Sequence, residues 1–362
     1  MKRLYTLLVS LLLCMLCAFT LTACGGGDDD SGKGGAHEHD YQATEYFDKD
    51  NTFAKVLECK NAGCSQKTIT YDSIEITNAD QLVALNQYLA GNYKFNGSTL
   101  KVTIKNDIDM TGKSWTPIKI SANNRFAYTF EGAANGVTIT NLNVTGDYAG
   151  FFGEVSKELT VKNITVKNSV FTSEEFDDCY AGGLIAFVNG AKVTIDNCAV
   201  VDCQINGYSA AGGIYGRAYK ETADSQPIIL EFSNVTVDGN TITSNGFAGG
   251  FYGIGADAPV NALVVNMGKF VLTDNTITSN NTDQLSAGVF VGKIGYSRLF
   301  FETAGNATVS QIASSNQATS NGTEISANTR TYGRTGWHAG YVKSEVGGLC
   351  FGGEITNNPT VD

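Results

Sequence analysis

Apolar residues recur at fixed intervals between residues 148 and 277. In each of four units, an Ala-Gly anchor precedes a spacer and then apolar residues at relative positions 0, 3, 5 and 10. Positions 3 and 5 alternate with the period of a β-strand, whereas the step from position 0 to position 3 breaks that period and predicts a bend. Fixed patterns between variable spacers are typical of stacked repeats, so we expect an all-β fold, a parallel β-solenoid (β-helix). The four sets are Val161/Ile164/Val166/Phe171, Ile195/Cys198/Val200/Ile205, Phe232/Val235/Val237/Ile242 and Met267/Phe270/Leu272/Ile277.

The bend carries Asn in three of the four units, at Asn163, Asn197 and Asn234. Asn adopts the left-handed backbone conformation more readily than most residues, which suits a corner. Stacked coils would place these side chains above one another, and we expect them to form a hydrogen-bonded ladder. We interpret them as corner residues rather than ligands.

Glycine pairs follow the anchor alanines at 182–183, 212–213 and 249–250. We expect each pair to open a strand where neighbouring backbone approaches closely. The phrases Tyr148–Gly153, Ala211–Gly216 and Ala248–Gly253 resemble GLUG repeats, which occur in bacterial surface and secreted proteins. The resemblance covers roughly residues 74–300 and implies β-helical stacking. It implies no catalytic residue, because the repeat motif is structural.

The first 23 residues have the pattern of an export signal, with Lys2 and Arg3 before an apolar run that ends at about Phe19. A plain signal peptide or a transmembrane anchor would share these features. Residues 21–24, Leu-Thr-Ala-Cys, resemble the bacterial lipobox. That resemblance implies cleavage of a lipoprotein signal peptide (residues 1–23) and acylation of Cys24, for example with palmitate. The lipid would hold the protein on a membrane without spanning it.

Residues 24–36 are rich in Gly and include three consecutive aspartates, which predicts a flexible tether. An acidic run directly after the lipidated Cys resembles the surface-export signal of Bacteroidetes lipoproteins. This resemblance implies a place in the bacterial cell envelope, in the outer membrane and exposed at the surface.

The net charge of the chain limits the classes of partner that it can bind. The formal net charge is −11, and without residues 1–23, which hold two basic and no acidic residues, it would be −13. Such a balance disfavours nucleic acid and anionic membrane surfaces, which need a basic face. Forty-one glycines and 17% charged residues are consistent with an all-β chain punctuated by turns.

The segment 37–70 contains His37, His39, Cys59 and Cys64, which could supply two nitrogens and two sulfurs to a zinc ion. A Cys59–Cys64 disulfide is the simpler interpretation for an exported protein, and reduced thiols are the third. Our expectation is therefore that the chain uses no metal and no cofactor.

Residues 71–147 are predicted to form a capping helix and the first coils. The helix spans 78–90, with Asn78 or Thr77 as its N-cap and an apolar stripe of leucines on one face. It would cover the exposed apolar end of the solenoid. Asp107 and Asp109 lie two residues apart, and we interpret them as structural carboxylates rather than as part of a calcium site, which needs six or more oxygens.

The spacers lengthen at the same point of successive coils, which predicts that loops at about 217–228 and 254–262 emerge on one side of the repeats in 148–300. The first loop offers Arg217, Tyr219 and Lys220 for contact with a glycan or peptide. The adjacent acidic residues at 174–178 are interpreted as a solvated loop. Residues 301–362 are expected to hold degenerate coils and one long loop.

Three cysteines lie within the repeats. Cys198 occupies an inward position and should pack as a small apolar residue. A Cys179–Cys203 bridge between neighbouring coils stays open, because sequence gives no geometry.

The chain contains no Gly-x-Ser-x-Gly, no His-Glu-x-x-His and only three histidines, so common hydrolase and metalloprotease templates lack parts. The leading hypothesis is a non-enzymatic surface lipoprotein whose solenoid binds a host or microbial glycan or a surface protein. A β-helix polysaccharide lyase or glycoside hydrolase is the alternative, by fold analogy. A structural surface spacer is a third.

Overall fold

The structure is a computed structural model, and it describes residues 40–47, 54–64, 67–70, 73–90, 99–120, 127–219, 228–255, 263–282, 286–293, 297–301, 315–324 and 353–356. The chain divides into two units, Met1–Asp40 and Tyr41–Asp362. Apart from Asp40, the first unit lies outside the described residues, so Cys24, His37, His39 and the tether stay predictions. No helix in the described ranges has the length and hydropathy that crossing a membrane would require.

The second unit is a β-solenoid in which five parallel sheets run along the stacked coils. We number these sheets I to V in the order in which one coil visits them. Four described coils contribute one strand to every sheet, and these coils span 148–173, 180–207, 210–244 and 247–279. They correspond to the four units read from the sequence, so the predicted fold class is confirmed.

The strands of each sheet follow in chain order. Sheet I contains Tyr148–Ala149, Tyr180–Gly182, Ala210–Gly212, Phe247–Gly249 and Ala287–Gly288. Sheet II contains Ile118–Ile120, Phe152–Val155, Ile185–Asn189, Tyr215–Tyr219, Tyr252–Ile254 and Val291–Lys293. Sheet III contains Ser73–Ile76, Thr99–Ile104, Ala127–Gly132, Leu159–Lys162, Lys192–Asp196, Ile228–Ser233, Leu263–Met267, Ser297–Phe301 and Gly353–Thr356. Sheet IV contains Ile108–Asp109, Val137–Thr140, Ile164–Lys167, Ala199–Val201, Val235–Asp238 and Phe270–Thr273. Sheet V contains Asn143–Gly146, Val170–Ser173, Gln204–Gly207, Thr241–Ser244, Thr276–Ser279, Gln317–Ser320 and the antiparallel Thr323–Glu324.

The register of these strands confirms the apolar pattern. Val161 pairs with Ile195, Ile195 with Phe232, and Phe232 with Met267. The residues at position 10 pair in the same way along sheet V. All sixteen pattern residues are buried in one continuous core, because every coil covers the apolar row of the coil beside it.

The predicted corner is present, and a second corner accompanies it. Asn163, Asn197 and Asn234 have φ of 56°, 51° and 52°. The ladder among them is only partly formed: Asn197 Nδ2 donates to Asn163 Oδ1 over 2.7 Å, whereas Asn234 donates to Asp196 and Ser233 instead. Position 7 of the repeat forms the second left-handed corner, which the sequence analysis did not identify. Its residues are Asn168, Asp202, Gly239 and Asp274.

A buried Asn ladder lies one residue beyond this second corner. Asn275 Oδ1 accepts from the backbone N–H (3.0 Å) and the side-chain amide (2.9 Å) of Asn240. Asn316 Oδ1 receives the equivalent bonds from Asn275, over 3.0 and 2.8 Å. In the preceding coil the position is taken by Cys203, whose backbone N–H donates to Asn240 Oδ1 over 2.9 Å. The ladder therefore satisfies backbone groups where the coil turns between sheets IV and V.

The glycine pairs confirm the predicted close approach of neighbouring backbone, since a Cβ at Gly183 would lie 2.4 Å from the Gly213 carbonyl oxygen. Their predicted place at the start of a strand is wrong. The first Gly of each pair ends a sheet I strand instead of opening one. The second glycines then turn the chain into sheet II, where backbone meets backbone. A Cβ at Gly216, in the following sheet II strand, would lie 2.7 Å from the carbonyl oxygens of Ala181 and Ala186. Only glycine allows sheets I and II to approach this closely.

The helix forms as predicted, over Ala79–Ala90, and we name it α1. Asn78 Oδ1 accepts from the Gln81 backbone N–H over 3.0 Å, and Gln81 Oε1 accepts from the Thr77 backbone N–H over 2.7 Å. This arrangement resembles a capping box, with the returning hydrogen bond made to Thr77 before the N-cap rather than to Asn78 itself. Leu82 and Leu85 are buried in the common core. Before the helix, Tyr41–Phe47, Ala54–Cys59 and Lys67–Thr70 form a separate antiparallel sheet.

The other structural interpretations have clear outcomes. Asp109 Oδ1 accepts from Thr111 and Asn141, and these hydrogen bonds lower the pKa of Asp109. Asp107 accepts from the Thr138 backbone N–H, so both carboxylates accept structural hydrogen bonds within the protein. Cys198 is buried as predicted, whereas Cys179 and Cys203 are thiols and form no bridge.

Candidate functional site

Sheets I and II also carry side chains on the face that points away from the core. Ala181 and Val188 belong to the core, so their strand neighbours Tyr180 and Phe187 project on the other side of the backbone. The glycine bend brings these outward residues together. The Phe187 ring lies 5.5 Å from the Tyr180 ring and 5.2 Å from the Tyr148 ring, measured between centroids.

We name the outward-facing residues of sheets I and II the outer cluster, and they include both apolar and charged side chains. It follows two ladders that cross successive coils about 4.8 Å apart. The sheet I ladder contains Tyr148, Tyr180, Ala210 and Phe247. The sheet II ladder contains Glu154, Phe187, Arg217, Ile254 and Lys293. Tyr219, two residues beyond Arg217, completes the cluster.

The outer cluster has a buried floor and a partly exposed rim. Tyr180, Phe187 and Ile254 are buried. Tyr148, Tyr219, Phe247, Arg217 and Lys293 keep part of their surface in contact with solvent. The rim therefore exposes parts of three aromatic rings, of which Tyr219 and Phe247 each carry a cationic group over one face.

Arg217 occupies the middle of the cluster. Its guanidinium carbon lies 4.8 Å from the centroid of the Tyr219 ring and 5.2 Å from that of the Tyr180 ring. Nη1 donates to Asp178 Oδ1 over 3.0 Å and also to the Tyr180 hydroxyl. Two cation–π contacts and an ion pair hold this guanidinium in one place.

Glu154 stands at one end of the sheet II ladder. Lys119 Nζ lies 2.7 Å from Glu154 Oε2, and Asn189 and Ser156 donate to Oε1 over 3.1 and 2.9 Å. Partial burial opposes the charged carboxylate, but these hydrogen bonds outweigh it and lower the pKa of Glu154. Glu154 is accordingly an ionised acceptor at neutral pH.

Tyr180 is the group that could resemble a catalytic base, because its hydroxyl lies beside a guanidinium. Burial raises the pKa of Tyr180 strongly, and its hydrogen bond to Asp178 (2.6 Å) raises it further, while Arg217 opposes both. The phenol stays protonated at neutral pH. A general base needs a pKa near the working pH, so Tyr180 is unsuited to that role.

The predicted binding residues are placed differently from the expectation. Arg217 and Tyr219 belong to the sheet II strand Tyr215–Tyr219, not to a loop, because pairing with Ile185–Asn189 extends that strand beyond Gly216. Lys220 lies outside the described residues. Both long spacers do fall between sheet II and sheet III, as predicted, although residues 220–227 and 256–262 are not described.

The acidic loop at 174–178 is exposed, as expected. It contributes one residue to the outer cluster, since Asp178 pairs with Arg217. In the ranges that the structure describes, no three His, Cys, Asp or Glu side chains converge as metal ligands. Cys59 ends a strand and is buried, and Cys64 follows a turn closed by its N–H bond to Asn61. The disulfide and zinc interpretations of these cysteines stay predictions.

Sequence reasoning missed most of the outer cluster, namely Tyr148, Glu154, Tyr180, Phe187, Phe247, Ile254 and Lys293. A signal was present, because an aromatic residue precedes three of the Ala-Gly anchors, at Tyr148, Tyr180 and Phe247. Period-two alternation from the buried Ala of each anchor places that aromatic on the outer face.

Comparison with known proteins supports the fold. No family model matches the chain, and no curated protein matches it. Among solved structures, it is similar to a Bacteroides ovatus protein described as a "putative immunoglobulin A1 protease". That match has a TM-score of 0.50 at 20% identity and covers 78% of this chain and 84% of the other. A likeness at this identity shows a shared fold and nothing about activity.

Proposed function

We propose that this chain is a lipid-anchored surface protein whose solenoid binds carbohydrate through the outer cluster without cleaving it. The observation that carries the proposal is the cluster itself. Beside the inner core, a second group of aromatic side chains lines the outer face and leaves a partly exposed rim.

The chemistry of the rim suits a sugar chain. Sugar rings present apolar C–H faces that stack on aromatic rings, and Tyr148, Tyr219 and Phe247 are partly exposed aromatics on the first, third and fourth coils. Sugar hydroxyls need fixed donors and acceptors beside those rings. Glu154, held by its hydrogen bonds, and Arg217, held between two tyrosines, meet that need.

The same groups favour binding over catalysis. A lyase would need a base near neutral pKa, and the buried Tyr180 phenol is held protonated. Hydrolysis would need two carboxyl groups across a cleft. Asp178 is instead paired with Arg217, and Glu154 with Lys119. These pairings support the non-enzymatic reading, with a lyase or hydrolase as the alternative that a product assay decides.

Anchoring and location belong to the same proposal. The lipobox-like residues 21–24 support acylation of Cys24, and the acidic run behind them supports outer-membrane surface display. The GLUG-like phrases support membership of that repeat family. Cells grown with radiolabelled palmitate should label the wild-type chain but not a Cys24→Ala variant, and an unlabelled wild type would contradict lipid anchoring.

A glycan array probed with the detergent-solubilised full chain tests the binding proposal. Wild type should bind a subset of glycans, and Tyr219→Ala should weaken that binding at least tenfold. Val271→Ala, an exposed apolar residue of sheet IV, is the control and should change nothing. Absence of any glycan binding would favour the structural spacer, and equal binding by Tyr219→Ala would move the site away from the outer cluster.

A further inference from the structure

Arg217 and Asp178 form an ion pair with unequal partners. The Arg217 side chain is 16% exposed, whereas that of Asp178 is 79% exposed and lies on the solvated loop 174–178. The guanidinium is fixed by the rings of Tyr180 and Tyr219. Its carboxylate partner is therefore the more exposed half of the pair, and it also accepts from the Tyr180 hydroxyl over 2.6 Å.

Exchange of that carboxylate for another would cost little where the incoming carboxylate also accepts from the Tyr180 hydroxyl. Ion pairs with a highly exposed partner contribute little to stability, because water solvates the freed carboxylate well. The guanidinium, in contrast, has already lost most of its hydration and its freedom. Such a preorganised guanidinium binds a ligand carboxylate more favourably than it binds Asp178 when the group that carries the carboxylate packs on the neighbouring rings.

We propose that Arg217 is the subsite for the carboxylate of an acidic sugar, which displaces Asp178 while the sugar ring packs on the Tyr219 side of the rim. This inference rests on the proposed function and specifies its ligand class as a carboxylate-bearing glycan, such as a uronic acid oligosaccharide. Asp178 then acts as a built-in competitor that occupies the subsite in the absence of ligand.

The test compares a uronic acid oligosaccharide with the same oligosaccharide after reduction of its carboxyl groups to alcohols. Both are titrated calorimetrically into the detergent-solubilised full chain. The variants are Asp178→Asn and Arg217→Gln. Asn suits position 178 because the backbone there is left-handed, with φ of 67°. Glu231→Gln is the control, because Glu231 forms a partly exposed ion pair with Lys192 (3.2 Å) on sheet III, away from the outer cluster.

We expect wild type to prefer the carboxylated oligosaccharide. Asp178→Asn should raise affinity for it by roughly two- to fivefold, since an exposed competing pair is removed. Arg217→Gln should lower that affinity by roughly tenfold or more, the value of a lost charge-assisted hydrogen bond. Asp178→Asn should leave binding of the reduced oligosaccharide unchanged, and Arg217→Gln should weaken it less than it weakens binding of the carboxylated one. Circular dichroism checks that both variants are folded, and Glu231→Gln should behave as wild type.

Two results separate the failures. Equal affinity for both oligosaccharides, unaffected by Asp178→Asn, would overturn the carboxylate subsite and leave glycan binding intact. Lack of binding to either oligosaccharide, and to every other glycan of the array, would overturn the proposed function together with the subsite.

Discussion

The buried Asn ladder predicts a large and specific loss of stability. In Asn275→Ala the buried backbone N–H of Asn240 loses its acceptor, and the amide of Asn240 loses one of its two. The Asn275 amide also no longer donates to Val237 O (3.0 Å) and Thr273 O (2.8 Å). An orphaned buried donor costs about 1–3 kcal/mol and a lost hydrogen bond about 1 kcal/mol. We expect a loss of about 2–4 kcal/mol in the free energy of unfolding.

Asn280→Ala is the matched control, directly after the last strand of the same coil. Asn280 is exposed, and its amide donates to Asn245 over 3.3 Å, so the expected effect is within about 0.5 kcal/mol. Urea unfolding compares the two variants, and hydrogen exchange should show the Asn240 amide exchanging at least tenfold faster in Asn275→Ala. Equal losses in the two variants, or unchanged exchange at Asn240, would refute the reasoning.

Asn275→Asp refines the prediction through pH. The carboxyl group keeps the acceptor for Asn240 but faces the carbonyl oxygens of Val237 and Thr273. Burial without a cation should raise its folded pKa above the unfolded value of about 3.9. The folded state then holds a proton that the unfolded state releases, so stability should fall as pH rises from about 4 towards 7. A flat profile over that range would contradict a dry environment around the ladder.

Three further predictions follow from the packing and the titrating groups. Gly216→Ala should lower the free energy of unfolding by about 1–3 kcal/mol, because the new Cβ would lie 2.7 Å from two carbonyl oxygens. A melting temperature equal to that of wild type would contradict the close approach of sheets I and II. Burial raises the pKa of Cys198 to about 12 and of Cys203 to about 11. Both thiols should therefore resist alkylation at pH 8 until the chain unfolds, and peptide mapping that finds either thiol modified in native protein would contradict this. The free energy of unfolding should also fall as pH rises above about 9, where the thiols of the unfolded chain ionise. The lowered pKa of Glu154 means that the ionised carboxylate stabilises the folded chain above about pH 4.3, and that this stabilisation is lost as pH falls through the folded pKa. Lys119→Ala should therefore have a lower melting temperature than wild type at pH 7, and the difference should be smaller at pH 3.

The fold was predictable because its rules are local and repeated. Position 0 of each unit pairs with position 0 of the next, as Val161 and Ile195 show, and one period therefore constrains every coil. The αL corner at Asn163 also followed from residue type. The corner at position 7 was not predicted because Asn, Asp and Gly all occur there, and no single residue type identifies this position of the repeat.

The outer cluster was harder to derive because it depends on the angle between two sheets. Tyr180 and Phe187 meet only when the chain bends sharply between them. Strand period gives the face on which each side chain lies but not the angle between consecutive sheets. The role of Arg217 in binding stays a prediction, but its predicted place in a loop was wrong, since strand pairing rather than loop exposure positions it.

The most direct test of the account measures binding and product release together. Each glycan that the full chain binds is incubated with excess protein, and the reducing ends and unsaturated products are quantified against Tyr219→Ala and Val271→Ala. The account predicts saturable binding that Tyr219→Ala weakens, with no product above the protein-free control. Release of sugar by wild type, lost in Tyr219→Ala, would contradict the central claim and identify the outer cluster as an active site.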